Sequence, residues 1–309
     1  MNTLFLNSLP HSLPAKSSMT ASWVTQSLWL KKMSSEGNVI SLSVRKCPLA
    51  FFFIPLILLF KKIDRIVVYN LMKRAPLPLV NLVASFFKVP VTAIVFDISD
   101  NLQVKMAKSL PRVQKRIFIT KAIADDFAPG IPCEIEDGSG LRDCFNNRRS
   151  PTIQFNNDRF VIVYAGALQP YNCIETILAF MRFCHDPDVE LILAGAADDL
   201  RIFAKIKESA AIDPRIKYLG IISSEDIKQL YESASVLLCL RDDSYPLMRY
   251  HFPSKIFELM ETGKPIIASN TGHLKERYGD LIHVIDKIDT QSLVDAVMAV
   301  RYNNCNKKC

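Results

Sequence analysis

The sequence predicts an α/β protein built from two doubly wound parallel sheets, and three observations carry that expectation. Short apolar runs of strand length alternate with amphipathic stretches of helix length along most of the chain. The 309 residues are enough for two domains of about 150 residues each. A hydrophobic fraction of 49% and a charged fraction of 22% are those of a globular protein, which sets aside disorder and low complexity.

The elements are clearest in the second half. Phe160–Ala165 reads as a buried strand, Ile174–Phe183 as a helix, Val189–Ala194 as a strand and Leu200–Ser209 as a helix. Ile216–Leu219 is a short strand. Ser223 with Asp226 three residues on has the form of a capping box opening a helix that runs to Ser233. Val236–Leu240 and Pro265–Ala268 are strands on either side of a helix centred on Phe257–Met260, and Leu281–Ile285 precedes a last helix at Gln291–Val300. Consecutive strands joined by helices must run parallel, so this half is a doubly wound sheet. The first half repeats the scheme with strands at Leu4–Asn7, Val39–Leu42, Ile66–Tyr69, Val91–Phe96, Ile117–Ile119 and Glu134–Glu136. The polar stretch Arg142–Asp158 is the expected linker. The division is therefore 1–150 and 151–309, two Rossmann-like domains with the ligand cleft expected between them, beyond the carboxyl ends of the strands.

Charge is unevenly shared. Residues 1–150 hold 20 Lys and Arg against 10 Asp and Glu, whereas residues 151–309 hold 18 against 21. A basic half suits an anionic partner such as a phospholipid surface, a nucleic acid or a lipid diphosphate, or is simply a solvated surface. No basic motif interleaved with aromatics points to nucleic acid. The eight cysteines form no Cys-x-x-Cys pair and several sit in apolar runs, as in Val236–Leu240, the usage expected of reduced thiols in a cytoplasmic protein. No secretory leader is read at Met1. The apolar run from Cys47 to Phe60 carries Pro48 and Pro55 and falls short of the roughly 20 residues needed to span a bilayer. It reads either as a crossover helix or as an edge dipping into a membrane interface, where Arg45, Lys46, Lys61, Lys62 and Arg65 meet anionic headgroups.

The stretch richest in chemistry is Tyr250-His-Phe-Pro-Ser-Lys-Ile-Phe-Glu258, ahead of Gly263-Lys-Pro265 and a strand. Pro253 and Ser254 suit a helix start beyond a strand end, where unpaired N–H groups favour phosphate. Lys255 adds a compact cation for a diphosphate, and Glu258, a turn later, can accept hydrogen bonds from a ribose diol. Bland alternatives stand beside these: Lys255 and Glu258 as surface charge, and Tyr250 as packing. Phe96-Asp-Ile-Ser-Asp-Asn101 ends the fourth strand, so Asp97 or Asp100 stands at the carboxyl edge where ligands bind, or Asp100 can cap a helix over Asn101–Ser109. His11, in the loop after the first strand, is a candidate acid, base or hydrogen-bond donor, or a structural residue. Neither Asp97-x-x-Asp100 nor Asp242-Asp243 has the Asp-x-Asp spacing of a divalent-cation site, and no metal is expected.

The segment from Tyr250 to Ser269 resembles the donor-binding motif of the retaining GT-B glycosyltransferases known as family 4, or group 1. The resemblance extends through Phe160–Ala165 with Gly166–Asn172, Leu191–Gly195, Tyr218–Gly220 and Tyr231–Ser235, and covers most of residues 158–300. In the first half it is thinner, over Ile119–Phe127 and Ile135–Gly138. It implies a GT-B fold with acceptor bound by the N-terminal domain and nucleotide-sugar by the C-terminal one. It also implies hexosyl transfer with retention, without metal or cofactor, onto a lipid-linked or saccharide acceptor in cell-surface polysaccharide synthesis at the inner membrane face. Carried over, Glu258 binds the donor ribose, Gly166 admits the donor phosphates to the backbone, and Tyr250, His251, Phe252, Pro253, Ser254 and Lys255 line the diphosphate and sugar pocket. Lys255 and Asp97 are the catalytic candidates, with His11 and Asp100 on the acceptor side. Two departures stand out: Tyr250 replaces the first of the family's two glutamates, and the loop after Gly166 lacks the usual basic pair, leaving Lys255 with Arg241 or Arg249 to supply charge. A sugar-nucleotide epimerase and a non-catalytic partner subunit are the rival readings of the same architecture.

Overall fold

The structure, a computed structural model, describes residues 1–9, 21–43, 50–71, 76–137, 139 and 159–306. The expected linker and His11 lie outside the described residues. The chain forms two compact units, Met1–Asp143 with Arg249–Phe252, and Cys144–Met248 with Pro253–Cys309.

In the first unit, β1 (Asn2–Asn7), α1 (Ala21–Glu36), β2 (Asn38–Ser43), α2 (Ala50–Phe60) and β3 (Arg65–Tyr69) lead into α3 (Leu77–Phe86) and β4 (Val91–Val95). Next come α4 (Asn101–Ala107), β5 (Lys115–Phe118), α5 (Lys121–Phe127) and β6 (Glu134–Ile135). The sheet order is β2-β1-β3-β4-β5-β6 and every pairing is parallel, with Leu4 opposite Ile66 and Ile94 opposite Ile117. Its strands are near-continuous apolar runs because helices cover both faces; Leu4, Phe5, Leu6 and Ile66 are wholly buried. Chain direction across the sheet reverses between β1 and β3, so the ligand-accepting crevice of such a sheet opens at the carboxyl ends of β1, β3 and β4.

The second unit runs β7 (Phe160–Ala165), α6 (Ile174–Phe183), β8 (Val189–Ala194), α7 (Leu200–Ile212), β9 (Ile216–Tyr218) and α8 (Ser224–Ser233). It continues with β10 (Val236–Cys239), α9 (Lys255–Glu261), β11 (Ile266–Ser269), α10 (Leu274–Tyr278), β12 (His283–Ile285) and α11 (Thr290–Asn306). The order β12-β11-β10-β7-β8-β9 is parallel throughout and is the dinucleotide-fold order, with its switch point between β7 and β10. Between sheet and helices lies one core built from Ile162, Ile174, Ile177, Met181, Leu191 and Val236.

The expected strands are all present, several with shifted ends. Ile119 and Leu240 fall just outside β5 and β10, and β12 starts only at His283. The capping box forms as read: Ser223 Oγ accepts from Asp226 N at 3.1 Å while Asp226 Oδ2 accepts from Ser223 N. Helices α1, α3 and α10 stand where no element was expected. Among the described residues no helix is long and apolar enough to cross a membrane, and Cys133, Cys173, Cys184 and Cys239 are free thiols.

Candidate functional site

At the switch point of the second sheet the chain leaves β7 at Gly166 and β10 at Leu240. Two glycines make the crevice floor thin. Gly166 N donates to Ala194 O at 2.9 Å, and Gly195 N donates to Gly220 O at 2.7 Å. Gly195 has φ +132°, and a Cβ there would fall 1.8 Å from the Gly166 carbonyl oxygen. No side chain fits at 195, so the ends of β7 and β8 approach backbone to backbone. Gly166 is open by comparison, and a methyl group on it would lie 3.9 Å from Lys255 Cδ. The Lys255 stem therefore reaches over the glycine from the first residue of α9.

The Lys255 ammonium pairs loosely with Glu258 Oε2 at 3.8 Å, one turn on, with both side chains partly exposed. It also lies 5.8 Å from the centroid of the Tyr231 ring. Tyr231 is buried and its hydroxyl has no hydrogen-bond partner among the described residues. Burial first, and then the Glu258 charge, push its pKa well up. Arg241 supplies a second cation at the end of β10. Burial raises the Cys239 thiol to about 11, against the fields of Arg241 and Lys255, which both lower it. The Arg241 main chain is pinned by bonds from its N to Ser269 Oγ (2.8 Å) and to its O from Thr271 Oγ1 (3.0 Å). Asp242 and Asp243 do not form a metal-type pair: the Asp242 carboxylate caps the turn by accepting from Ser244 N. Gly166, Lys255 and Glu258 thus lie together, with Pro253 and Ser254 leading into α9. At seven residues α9 has little macrodipole, so the positive field here comes from the two side chains.

Tyr250, His251 and Phe252 pack with the first unit. Tyr250 Oη donates to Asp126 Oδ2 at 2.6 Å, and burial together with that carboxylate raises its pKa to about 12. Arg249 pairs with the same carboxylate at 3.5 Å. Arg249 is therefore engaged, whereas Arg241 follows β10 and its charge, like that of Lys255, acts on the Cys239 thiol. Phe252 is buried.

Asp97 sits just beyond β4. Asn70, just beyond β3, holds it: Asn70 Nδ2 donates to Asp97 Oδ1 at 2.9 Å, while Asn70 Oδ1 accepts from Phe96 N at 2.7 Å. Asn70 takes the left-handed conformation, φ +59°, which Asn tolerates better than most residues. Burial raises the Asp97 pKa from its ordinary value, opposed by the charge of His251 and by the Asn70 bond. Asp100 is the N-cap of α4, with Oδ1 accepting from Leu102 N and Gln103 N at 2.9 Å each, the helix-capping alternative. Sequence reasoning missed Asn70 and Gly195 as site-shaping residues. The only signals were an Asn immediately after a strand and a glycine after β8.

Two parallel six-stranded units, the second with a glycine-floored and cationic crevice at its switch point, define a GT-B protein. Solved structures agree: the Anabaena protein HepE in complex with UDP and glucose superposes with a TM-score of 0.64 at 16% identity, over 96% of this chain and 89% of that one. The lipopolysaccharide outer core galactosyltransferase WaaB in apo form gives 0.67 at 13% identity, over 98% and 91%. The model of the family described as glycosyl transferases group 1 matches residues 146–307, and the chain belongs to that family. The O-antigen chain mannosyltransferase B of Escherichia coli is 30% identical over 143 residues, a match that takes in 44% of this chain and about a third (34%) of that relative's length.

Proposed function

We propose that this glycosyltransferase is of the retaining family-4 type, moving a hexosyl group from a nucleoside-diphosphate sugar to a lipid-linked or saccharide acceptor. We place this chemistry in cell-surface polysaccharide synthesis at the cytoplasmic face of a membrane. The observation that carries the proposal is the reach of Lys255 over Gly166 at the second sheet's switch point, with Glu258 paired to it one turn on. In this reading the donor occupies the second unit and the acceptor the first. Lys255 and Arg241 neutralise the leaving diphosphate, which is electrostatic catalysis and needs neither cofactor nor metal. Glu258 exchanges its loose pairing with Lys255 for ribose hydroxyls, and Gly166 lets phosphate oxygens approach the main chain. Tyr250, His251, Phe252, Pro253 and Ser254 take the donor-sugar side, Asp97 the anomeric carbon, and Asp100 and His11 the acceptor. A uridine nucleotide is the first donor to try, since HepE is described with UDP and with UDP-glucose, and mannosyl and galactosyl transfer are named for two relatives.

The test is thermal stabilisation by a panel of nucleoside diphosphates and their sugars. A ligand at about 100 times its Kd should add roughly 2.7 kcal/mol. One nucleotide class should stabilise the wild type and fail to stabilise Glu258→Ala. In a transfer assay, Lys255→Met should lower kcat by about two to three orders of magnitude, the scale of losing one preorganised charge-stabilising group. A well-folded protein that answers to no nucleotide would instead be a non-catalytic partner subunit.

A further inference from the structure

The helices α2 and α3 are apolar on the side where a surface helix is normally polar. Their buried faces are ordinary: Ile54 from α2, and Leu77, Val80 and Ala84 from α3, point at the sheet. Their outer faces are Phe52, Phe53, Leu56, Leu59 and Phe60 on α2, and Leu79, Leu82 and Phe86 on α3, all exposed. Phe60 is 79% and Phe86 83% exposed. On each helix these positions recur with helical spacing, so each forms a stripe rather than a scatter. The crossovers β2-α2-β3 and β3-α3-β4 move the same way along the sheet, which puts both helices on one face, and they pack against each other. Neither helix contains a charged residue. At the carboxyl end of α2 stand Lys61 and Lys62, and just past α3 stands Lys88, all exposed and none in an ion pair among the described residues.

An exposed apolar ridge of this kind on a globular domain marks an interaction surface. We propose that the α2–α3 ridge is the face by which this protein docks onto an anionic lipid bilayer, with the apolar stripes entering the headgroup boundary and the three lysines meeting lipid phosphates. Charge complementarity singles out this occupant. The uncharged ridge is bordered by cations at one end, and it lies in the half of the chain that carries the whole basic excess. The 11 residues of α2 extend about 16 Å, far short of the ~30 Å hydrocarbon core, so the helix lies on the membrane and does not cross it. The proposal deepens, and rests on, the reading of a lipid-linked acceptor at the membrane face.

Flotation with vesicles of phosphatidylcholine alone, or with about 30 mol% phosphatidylglycerol, tests it. The wild type should float with the anionic vesicles and bind neutral ones at least about tenfold more weakly. The variant Leu56→Ser/Leu59→Ser/Leu82→Ser, which leaves Ile54 and Val80 in place, should lose about tenfold or more on both. Lys61→Gln/Lys62→Gln/Lys88→Gln should bind anionic vesicles no better than neutral ones. Wild type that floats with neither vesicle, or a serine variant that floats like wild type, overturns the proposal. So does a wild-type dimer that the serine variant turns into a monomer without any lipid binding. Nucleotide stabilisation, read on the same samples, separates the two ideas. Serine variants that keep it while losing vesicles support docking, and its absence from a wild type that still floats tells against the glycosyltransferase reading alone.

Discussion

Asn70 is the side chain on which the arrangement around Asp97 depends. It ties the ends of β3 and β4 together and donates to the carboxylate, favouring its charged form against the burial that disfavours it. The sign of the expected pH effect follows from that balance. Asn70→Asp keeps the shape, the tolerance for the left-handed backbone and the acceptor for Phe96 N, but places an acceptor and a negative charge where the donor was. The Asp97 pKa should rise further, so the acid limb of a kcat/KM profile should move to higher pH by about one unit or more. An unmoved limb would mean that ionisation of Asp97 does not govern the rate. Gly195 is the other residue with no substitute. With its would-be Cβ at 1.8 Å from a carbonyl oxygen, Gly195→Ala must push β7 and β8 apart, and urea unfolding should show a loss of about 2–4 kcal/mol from overpacking and backbone strain together. A loss under about 0.5 kcal/mol would show that the two strand ends are not held this closely.

For the elements, α4 offers a clean separation of roles. Asp100 caps it through two main-chain bonds, while its proposed acceptor-side part needs a carboxylate. Asn is as good an N-cap as Asp. Asp100→Asn should therefore keep the wild-type melting curve, and Asp100→Ala should lose about 1 kcal/mol. If Asp100→Asn also keeps full transfer activity, the residue serves only the helix. The same element scale shows what the sequence made legible. Strands were readable because both sheet faces are covered, so each is a nearly unbroken apolar run such as Phe160–Ala165. The capping box of α8 was readable because two local bonds define it. By contrast α3, Leu-Pro-Leu-Val-Asn-Leu-Val-Ala-Ser-Phe, is apolar on its outer face as well, so no polar side marks its period. At five residues α10 is too short to show one. Lys255 and Glu258 were legible because one loop-helix segment carries both, and Gly166 because it stands directly after an apolar strand. Asn70 and Gly195 were not, because their importance lies in one left-handed φ and one backbone approach that only the folded chain creates. The pairing of Tyr250 with Asp126 joins residues 124 positions apart, and nothing local announces it.

At the scale of the whole molecule the division of charge is matched by a division of surfaces. The half with 20 basic against 10 acidic residues carries the apolar ridge and the Asp97 cluster, and the half with 18 against 21 carries Lys255 and Arg241 at the switch point of its sheet. If the nucleotide is held by the second unit through Lys255, Arg241 and Glu258, its binding energy should appear there first. Ligand that binds only the folded state stabilises the cooperative unit to which it is attached. Amide hydrogen exchange with saturating nucleoside diphosphate should therefore slow in β7 with the Gly166–Leu168 turn, in the loop after β10 and in α9. Exchange in β1 through β5 should change little until an acceptor is added. Glu258→Ala should abolish the slowing in the second unit without altering exchange in ligand-free protein. Protection that arose chiefly in the first unit would move the donor away from the Lys255 crevice, and with it the assignment of leaving-group stabilisation to that lysine.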